Sequence, residues 1–180
     1  MDEFTKLSDE KIVEKVRSEN NDIYSIIIDR YQDKLLRYAV NLVKDSDQAS
    51  HIVQDSLVKA YINLNGFNVK KKFSSWIYRI VHNEAMNSLK KYKKEVKMPE
   101  DFDIDSEQDL EREFEENELI IYIGKCLELI PLMYSEPLNL YYLEDRSYQE
   151  ISDILKIPIG TVATRINRAK KLMKHICQKK

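Results

Sequence analysis

The side chains best equipped for chemistry stand near the C-terminus. Thr164, Arg165, Arg168 and Lys171 fall on one outward face of a basic helical stretch. Arginine presents a planar fork that can donate two hydrogen bonds to guanine, which discriminates by about 1–3 kcal/mol per pair. Lysine is better matched to phosphate, giving affinity without sequence information. Thr161 is read as opening this helix, where first-turn amides can meet a phosphate. An ordinary helical hairpin with a basic rim would carry the same charges. Covalent chemistry has no such foothold: His51, His82 and His175 sit on separate predicted helices without metal-ligand spacing, and no Gly-rich phosphate loop or nucleophile motif occurs. No catalytic residue, metal or cofactor is expected.

These residues need a helix, a tight turn and a second helix to hold them, the layout that lays a recognition helix in the major groove. Ser147 and Glu150 read as a capping box ahead of Ile151, Ile154 and Leu155. A turn, Lys156-Ile157-Pro158-Ile159-Gly160, leads to the last helix, with Val162, Ile166, Ala169 and Met173 facing inward. Upstream, Leu119, Ile120, Ile123, Leu127 and Ile130 form a helical stripe ended by Pro131. Ser135 is read as capping a helix with Leu138, Tyr141 and Tyr142.

The front part reads as four more helices. Ser8 caps the first, with Asp9 and Glu10 in its favourable first turn. The second carries Tyr24, Ile28, Tyr31, Leu35, Tyr38 and Leu42 at alternating steps of four and three. Asp45 with Gln48 resembles a capping box for the third, whose inner face is Ala49, Ile52, Val53, Leu57, Ala60 and Leu64. A loop from Gly66 through Asn68 and Lys70-Lys71-Lys72 precedes Ser74, a cap for the fourth helix, which buries Ile77, Ile80, Val81, Ala85 and Leu89.

Bulk properties agree with an all-α protein. Only 3 Gly and 4 Pro interrupt 180 residues. The net charge of −2 conceals segregation: residues 95–118 hold 12 acidic and 2 basic side chains, whereas 70–94 and 154–180 each hold 8 Lys/Arg. Basic blocks suit phosphates, although a solvated lysine-rich surface would look the same. The acidic stretch lacks sustained apolar periodicity and reads as a flexible, self-repelling linker. The expectation is therefore two helical domains, 1–94 and 119–180, joined by an acidic linker at 95–118, the C-terminal domain a helix-turn-helix. Fully extended, about 20 linker residues would span roughly 70 Å. An acidic N-terminus without a signal-peptide pattern, no apolar run long enough for a bilayer, and Cys126 and Cys177 without metal or redox spacing fit a cytoplasmic protein not inserted in a membrane.

The string Ser147-Tyr-Gln-Glu-Ile, then Ile157-Pro-Ile-Gly-Thr-Val, then Arg165-Ile-Asn-Arg-Ala resembles the extracytoplasmic-function (ECF) sigma factors, promoter-recognition subunits of bacterial RNA polymerase. The resemblance covers nearly the whole chain apart from the linker. It implies that the back domain is sigma region 4, reading the minus-thirty-five element through Thr161, Thr164, Arg165, Arg168 and Lys171. Ala163 departs from a usually basic position. The run Asp47–Tyr61 resembles the polymerase-binding helix, with Gln54 and Asp55 facing the clamp helices of core polymerase. The run Phe73–Leu89 resembles the minus-ten-reading helix of region 2, with Arg79, Asn83, Met86, Asn87 and Lys90 at three- and four-residue steps. Asn83 matches the usual residue; Asn87 replaces a usual Asp. Trp76 either stacks on a base or packs in the core.

The implied function is to bind core RNA polymerase, direct it to promoter DNA and assist melting, with an anti-sigma factor as a further partner. Opening DNA without ATP requires holding exposed bases, and Asn65, Phe67, Asn68 and Ser74 are expected to help build a pocket for one. The acidic linker either occupies a basic polymerase channel or is a passive spacer. Two other readings compete. An effector-binding helical bundle with a helix-turn-helix would need no polymerase-binding helix, and an enzyme would need a catalytic motif.

Overall fold

The computed structural model describes residues 4–18, 20–96, 124–127 and 129–178. Every regular element among them is helical. The long helices are α1 (Asp9–Ser18), α2 (Tyr24–Val43), α3 (Ser46–Ile62), α4 (Phe73–Val96), α5 (Leu132–Tyr142), α6 (Tyr148–Leu155) and α7 (Ile159–Gln178). Single turns of 3-10 helix lie at Phe4–Lys6, Asn21–Ile23 and Leu64–Gly66, and 124–127 is helical.

The front domain is built on α2, α3 and α4 packed pairwise, with α1 laid against α2 and α4. The expected stripe on α2 is buried from Tyr24 through Leu42, except that Ile27 takes the inner position and Ile28 is only partly covered. Phe73, Ile77, Tyr78, Val81 and Ala85 of α4 complete the core.

Several helix starts differ from the sequence reading. Asp45 does cap α3, accepting from the Gln48 amide at 2.8 Å. The Gln48 side chain does not close a box, because its Nε2 donates to Ser88 Oγ of α4 at 3.0 Å. Ser74 does not cap α4: the helix begins one residue earlier, and the Phe73 amide donates to Glu10 Oε1 of α1 at 2.9 Å. Ser135 does not cap α5, which starts at Leu132 with Pro131 as its N-cap; Ser135 is buried inside. The proline supplies a backbone fixed near the helix-entry conformation, so no side-chain cap is required. Likewise α7 starts at Ile159, and the Thr161 and Val162 amides both donate to the Pro158 carbonyl.

The capping box at α6 is complete. Ser147 Oγ accepts from the Glu150 amide, and the Ser147 amide donates to Glu150 Oε2 at 2.9 Å. Burial opposes ionisation of Glu150, but hydrogen bonds from Ser147 and from Lys72 outweigh it and lower its pKa. A lowered carboxylate pKa contributes stability above the unfolded value that is lost as pH falls through the folded one. Ser147→Ala should therefore cost about 1 kcal/mol at neutral pH. The difference from the unsubstituted protein should shrink below the ordinary carboxyl range, measured by urea unfolding.

Beyond Glu150, the two-helix turn is short because Lys156 adopts the left-handed conformation (φ 56°), ending α6 within one residue. Val162, Ile166 and Ala169 seal α7 onto α5 and α6, while Met173 is only partly buried. Cys126 and Cys177 are both in the reduced thiol form. Burial, then a hydrogen bond with Cys126, raises the Cys177 pKa to about 12. Helix α4 runs to Val96, two residues into the expected linker. The remainder of that linker, and Leu119, Ile120 and Ile123 of the expected stripe, lie outside the described residues.

Candidate nucleic-acid interface

On α7, Thr164, Arg168 and Lys171 are exposed, and Thr161 and Arg165 are half-buried. Thr164 Oγ1 donates to the Gly160 carbonyl at 2.8 Å, which orients its lone pairs outward. Arg168 Nη1 donates to the Tyr134 phenol of α5 at 3.2 Å. Met133, Tyr134, Gly160, Thr161, Thr164, Arg165 and Arg168 line an open cleft of about 320 Å³ at this face. The Thr161 amide, expected to face a phosphate, instead donates to the Pro158 carbonyl at 2.8 Å.

On α4, Asn83, Asn87 and Lys90 are exposed at steps of four and three, with Met86 half-buried beside them. Arg79 is half-buried and spoken for: its Nε donates to the Asp153 carbonyl of α6 at 2.8 Å. The preceding loop divides into exposed and buried members. Asn65 and Asn68 are exposed, and Asn68 Oδ1 accepts from the Lys70 amide at 2.9 Å, making a local turn. Phe67 is buried at 5% exposure and Ser74 at 8%. Phe67 meets Phe73 edge-on at 5.4 Å and Trp76 at 5.1 Å, and Trp76 packs on Phe73 at 5.5 Å. These rings form a wall below the loop, Phe67 and Phe73 buried and Trp76 half-buried, so Phe67 supports the loop rather than projecting from it.

The outer face of α3 presents Gln54 and Asp55, both exposed. Val58 (57% exposed) and Ile62 (69%) lie one and two turns further along the same face. Sequence reading omitted these two. Exposed apolar residues interrupting a polar face were the available signal, and together with Gln54 and Asp55 they make a mixed surface of the kind proteins bind.

The two domains touch through buried charge. Glu144, 4% exposed, accepts from Arg37 Nε at 2.9 Å and Nη2 at 3.0 Å and from the Tyr78 hydroxyl at 2.5 Å. Glu136, 5% exposed, accepts from the Tyr38 hydroxyl at 2.6 Å, and His82 Nδ1 lies 2.6 Å from the same oxygen. The Arg146 guanidinium stacks on the Tyr78 ring at 4.7 Å, and Lys72 pairs with Glu150 at 3.1 Å. Burial first, then the adjacent carboxylates, raises the hydroxyl pKa of Tyr38 and Tyr78 well above the usual tyrosine value. None of this was read from sequence. His82 is thereby engaged with Glu136, while His51 and His175 are exposed on their own helices. Among the described residues no group of three His, Cys, Asp or Glu could hold a metal, and no helix is long and apolar enough to cross a membrane.

The family model described as Sigma-70 region 2 matches residues 27–95, and that described as Sigma-70, region 4 matches residues 120–173. The chain is 29% identical to the ECF RNA polymerase sigma factor SigW of Bacillus subtilis, over 91% of this chain and 94% of the relative. It is 31% identical to the ECF RNA polymerase sigma-E factor of Salmonella typhimurium, over 92% of each. Among solved structures, the sigma factor RpoE of Bartonella quintana, crystallised with the anti-sigma factor NepR, superposes with a TM-score of 0.67. It is 23% identical, and the match covers 84% of this chain and 98% of that one.

Proposed function

The chain belongs to the extracytoplasmic-function sigma factors of bacterial RNA polymerase, and on that premise we propose how its surfaces divide the work of initiation. It is an initiation factor that directs polymerase to promoters, not an enzyme. The proposed regions are residues 1–94 for polymerase binding and minus-ten melting and 119–180 for minus-thirty-five recognition, with 95–118 between them. The observation that carries this division is the pairing of two nucleic-acid faces on separate domains: Thr164, Arg168 and Lys171 exposed on α7, and Asn83, Asn87 and Lys90 exposed on α4.

The α7 face reads duplex, because arginine forks match base edges in the major groove. The α4 face and its loop take the unpaired strand. Asparagine offers both donor and acceptor to a base edge. Holding one exposed base offsets unstacking, which costs a few kcal/mol per base. Asn65 and Asn68 are the loop groups that meet the base, with Phe67, Ser74 and Trp76 as the wall behind them. Arg79 and Met86 flank the strand. Partner and place follow from the family: the protein acts in the cytoplasm, where its polymerase is, and is held inactive by an anti-sigma factor. The apolar groove between Leu127, Leu138, Tyr142, Leu143 and Met173 of the back domain suits such a partner.

Core polymerase meets the outer face of α3. Asp55→Ala with Ile62→Ser is expected to weaken core binding about 30-fold, the size of one 2 kcal/mol hot spot, while leaving affinity for a minus-thirty-five duplex unchanged. Fluorescence titration of labelled protein with core polymerase checks this; unchanged core affinity would move the docking surface elsewhere.

The described arrangement is a closed one, since Arg79 cannot give its Nε both to Asp153 and to DNA. Core polymerase separates the domains. The contact is suited to release because its centre is polar: on opening, Glu136 and Glu144 regain water instead of exposing a large apolar surface.

A further inference from the structure

We propose that helix α1 is the brace of the base-capturing loop, with Arg17 as the positioning residue and Glu10 as its second anchor; this rests on the function proposed above for the loop. Arg17 Nε donates to the Leu64 carbonyl at 3.1 Å, its Nη2 donates to the same carbonyl, and Nη2 also donates to the Phe67 carbonyl at 2.5 Å. Seven residues from Arg17 on the same helix, Glu10 takes the Phe73 amide at the start of α4. Both ends of the segment 64–73 are thus fixed by side chains of a helix some fifty residues earlier in the chain. Between these anchors stand Asn65 and Asn68, both exposed.

The chemistry fits positioning. The Leu64 carbonyl opens the 3-10 turn and the Phe67 carbonyl lies just past it, and a guanidinium fork can reach both at once from a fixed direction. The Leu64 carbonyl also accepts from the Phe67 amide at 3.0 Å, so Arg17 reinforces a turn already formed. The brace is itself held rigidly: Ile12, Val13 and Val16 anchor α1 in the core. Lysine cannot reproduce the fork, being a point charge with rotating donors. Arg17 touches no base in this scheme; it acts through the backbone that presents Asn65 and Asn68.

The test uses the full chain bound to core polymerase, with Arg17→Gln, Arg17→Lys, Glu10→Gln and Asn68→Ala. Open-complex formation is read by permanganate reactivity of unpaired promoter thymines, alongside core affinity and minus-thirty-five duplex affinity. Arg17→Gln should reduce opening about tenfold and flatten the preference for the captured base, with Arg17→Lys intermediate and both affinities unchanged. Glu10→Gln should reduce opening less, since a neutral amide oxygen still accepts from Phe73. Wild-type opening by Arg17→Gln, with a defect in Asn68→Ala, overturns the brace and leaves the loop's role intact. Wild-type opening by both variants overturns the loop reading as well. A matching fall in core affinity would make Arg17 merely structural and would also overturn the proposal. If Arg17→Gln does not fold, amide exchange at Gly66 and Phe67 decides in Arg17→Lys: acceleration supports the brace, and unchanged exchange overturns it.

Discussion

Arg165→Ala combined with Arg168→Ala is expected to lower promoter-directed transcription by a hundredfold or more while leaving core polymerase binding intact. Each bidentate arginine–guanine contact discriminates by about 1–3 kcal/mol, and tenfold corresponds to about 1.4 kcal/mol, so losing two reaches this range even without full additivity. The loss should be selective. Lys171→Ala should weaken binding uniformly across sequences and flatten its salt dependence, because phosphate contacts carry no sequence information. Tyr134→Phe should fall between, since it removes only the phenol against which Arg168 rests. Binding of minus-thirty-five duplexes across a salt series separates the three. A double-arginine variant that still distinguishes its promoter from unrelated DNA would show that another surface reads the element.

Glu144→Ala is expected to open the free protein. It leaves the Tyr78 hydroxyl and the Arg37 fork without their shared acceptor. Charge-assisted hydrogen bonds are worth about 1.5–3 kcal/mol, less here because the Arg37 side chain is half exposed, so a shift of about 2 kcal/mol, near 30-fold, is reasonable. The variant should have a larger hydrodynamic radius and should bind a single-stranded minus-ten oligonucleotide without polymerase about 30-fold better than the unsubstituted protein. Alkaline pH should act in the same direction. The hydroxyl pKa of Tyr38 and Tyr78 is raised in the folded state, so their contribution is complete below the unfolded tyrosine value near 10 and lost as pH rises above it. Small-angle scattering of the unsubstituted protein across that range should show expansion before helix loss. Equal oligonucleotide binding by wild type and Glu144→Ala would remove the closed form as a control on DNA access.

What sequence could convey was periodic and local. The apolar stripe of α2, the capping box at Ser147 and Glu150, and the inward Val162, Ile166 and Ala169 each depend on neighbours within a few residues, and each stands where the spacing put it save that Ile27 replaces Ile28 in the stripe. The helix starts at Phe73 and Leu132 were misread because the deciding group was not a local side-chain cap. Glu10 supplies one from a distant helix, and Pro131 supplies the other through its backbone. Phe67 illustrates the same limit at the site. An aromatic residue in a polar loop reads as a stacking platform, yet two other rings enclose it. Phe67→Ala would consequently cost stability by about 3–5 kcal/mol, and substitutions at Asn65 and Asn68 test the loop more cleanly. The interdomain carboxylates were invisible for a related reason: Glu136 and Glu144 lie among apolar and polar residues alike, and only the fold brings Tyr38, Tyr78 and Arg37 to them.

The most direct test of the central claim is run-off transcription with bacterial core polymerase and this protein on a library of randomised promoter sequences. Initiation is expected from templates sharing two short elements at a fixed separation, with no specific start from core polymerase alone. The same selection with the Arg165/Arg168 variant should lose the upstream element first. Failure of the protein to direct initiation from any sequence, under conditions where it binds core polymerase, would contradict the account.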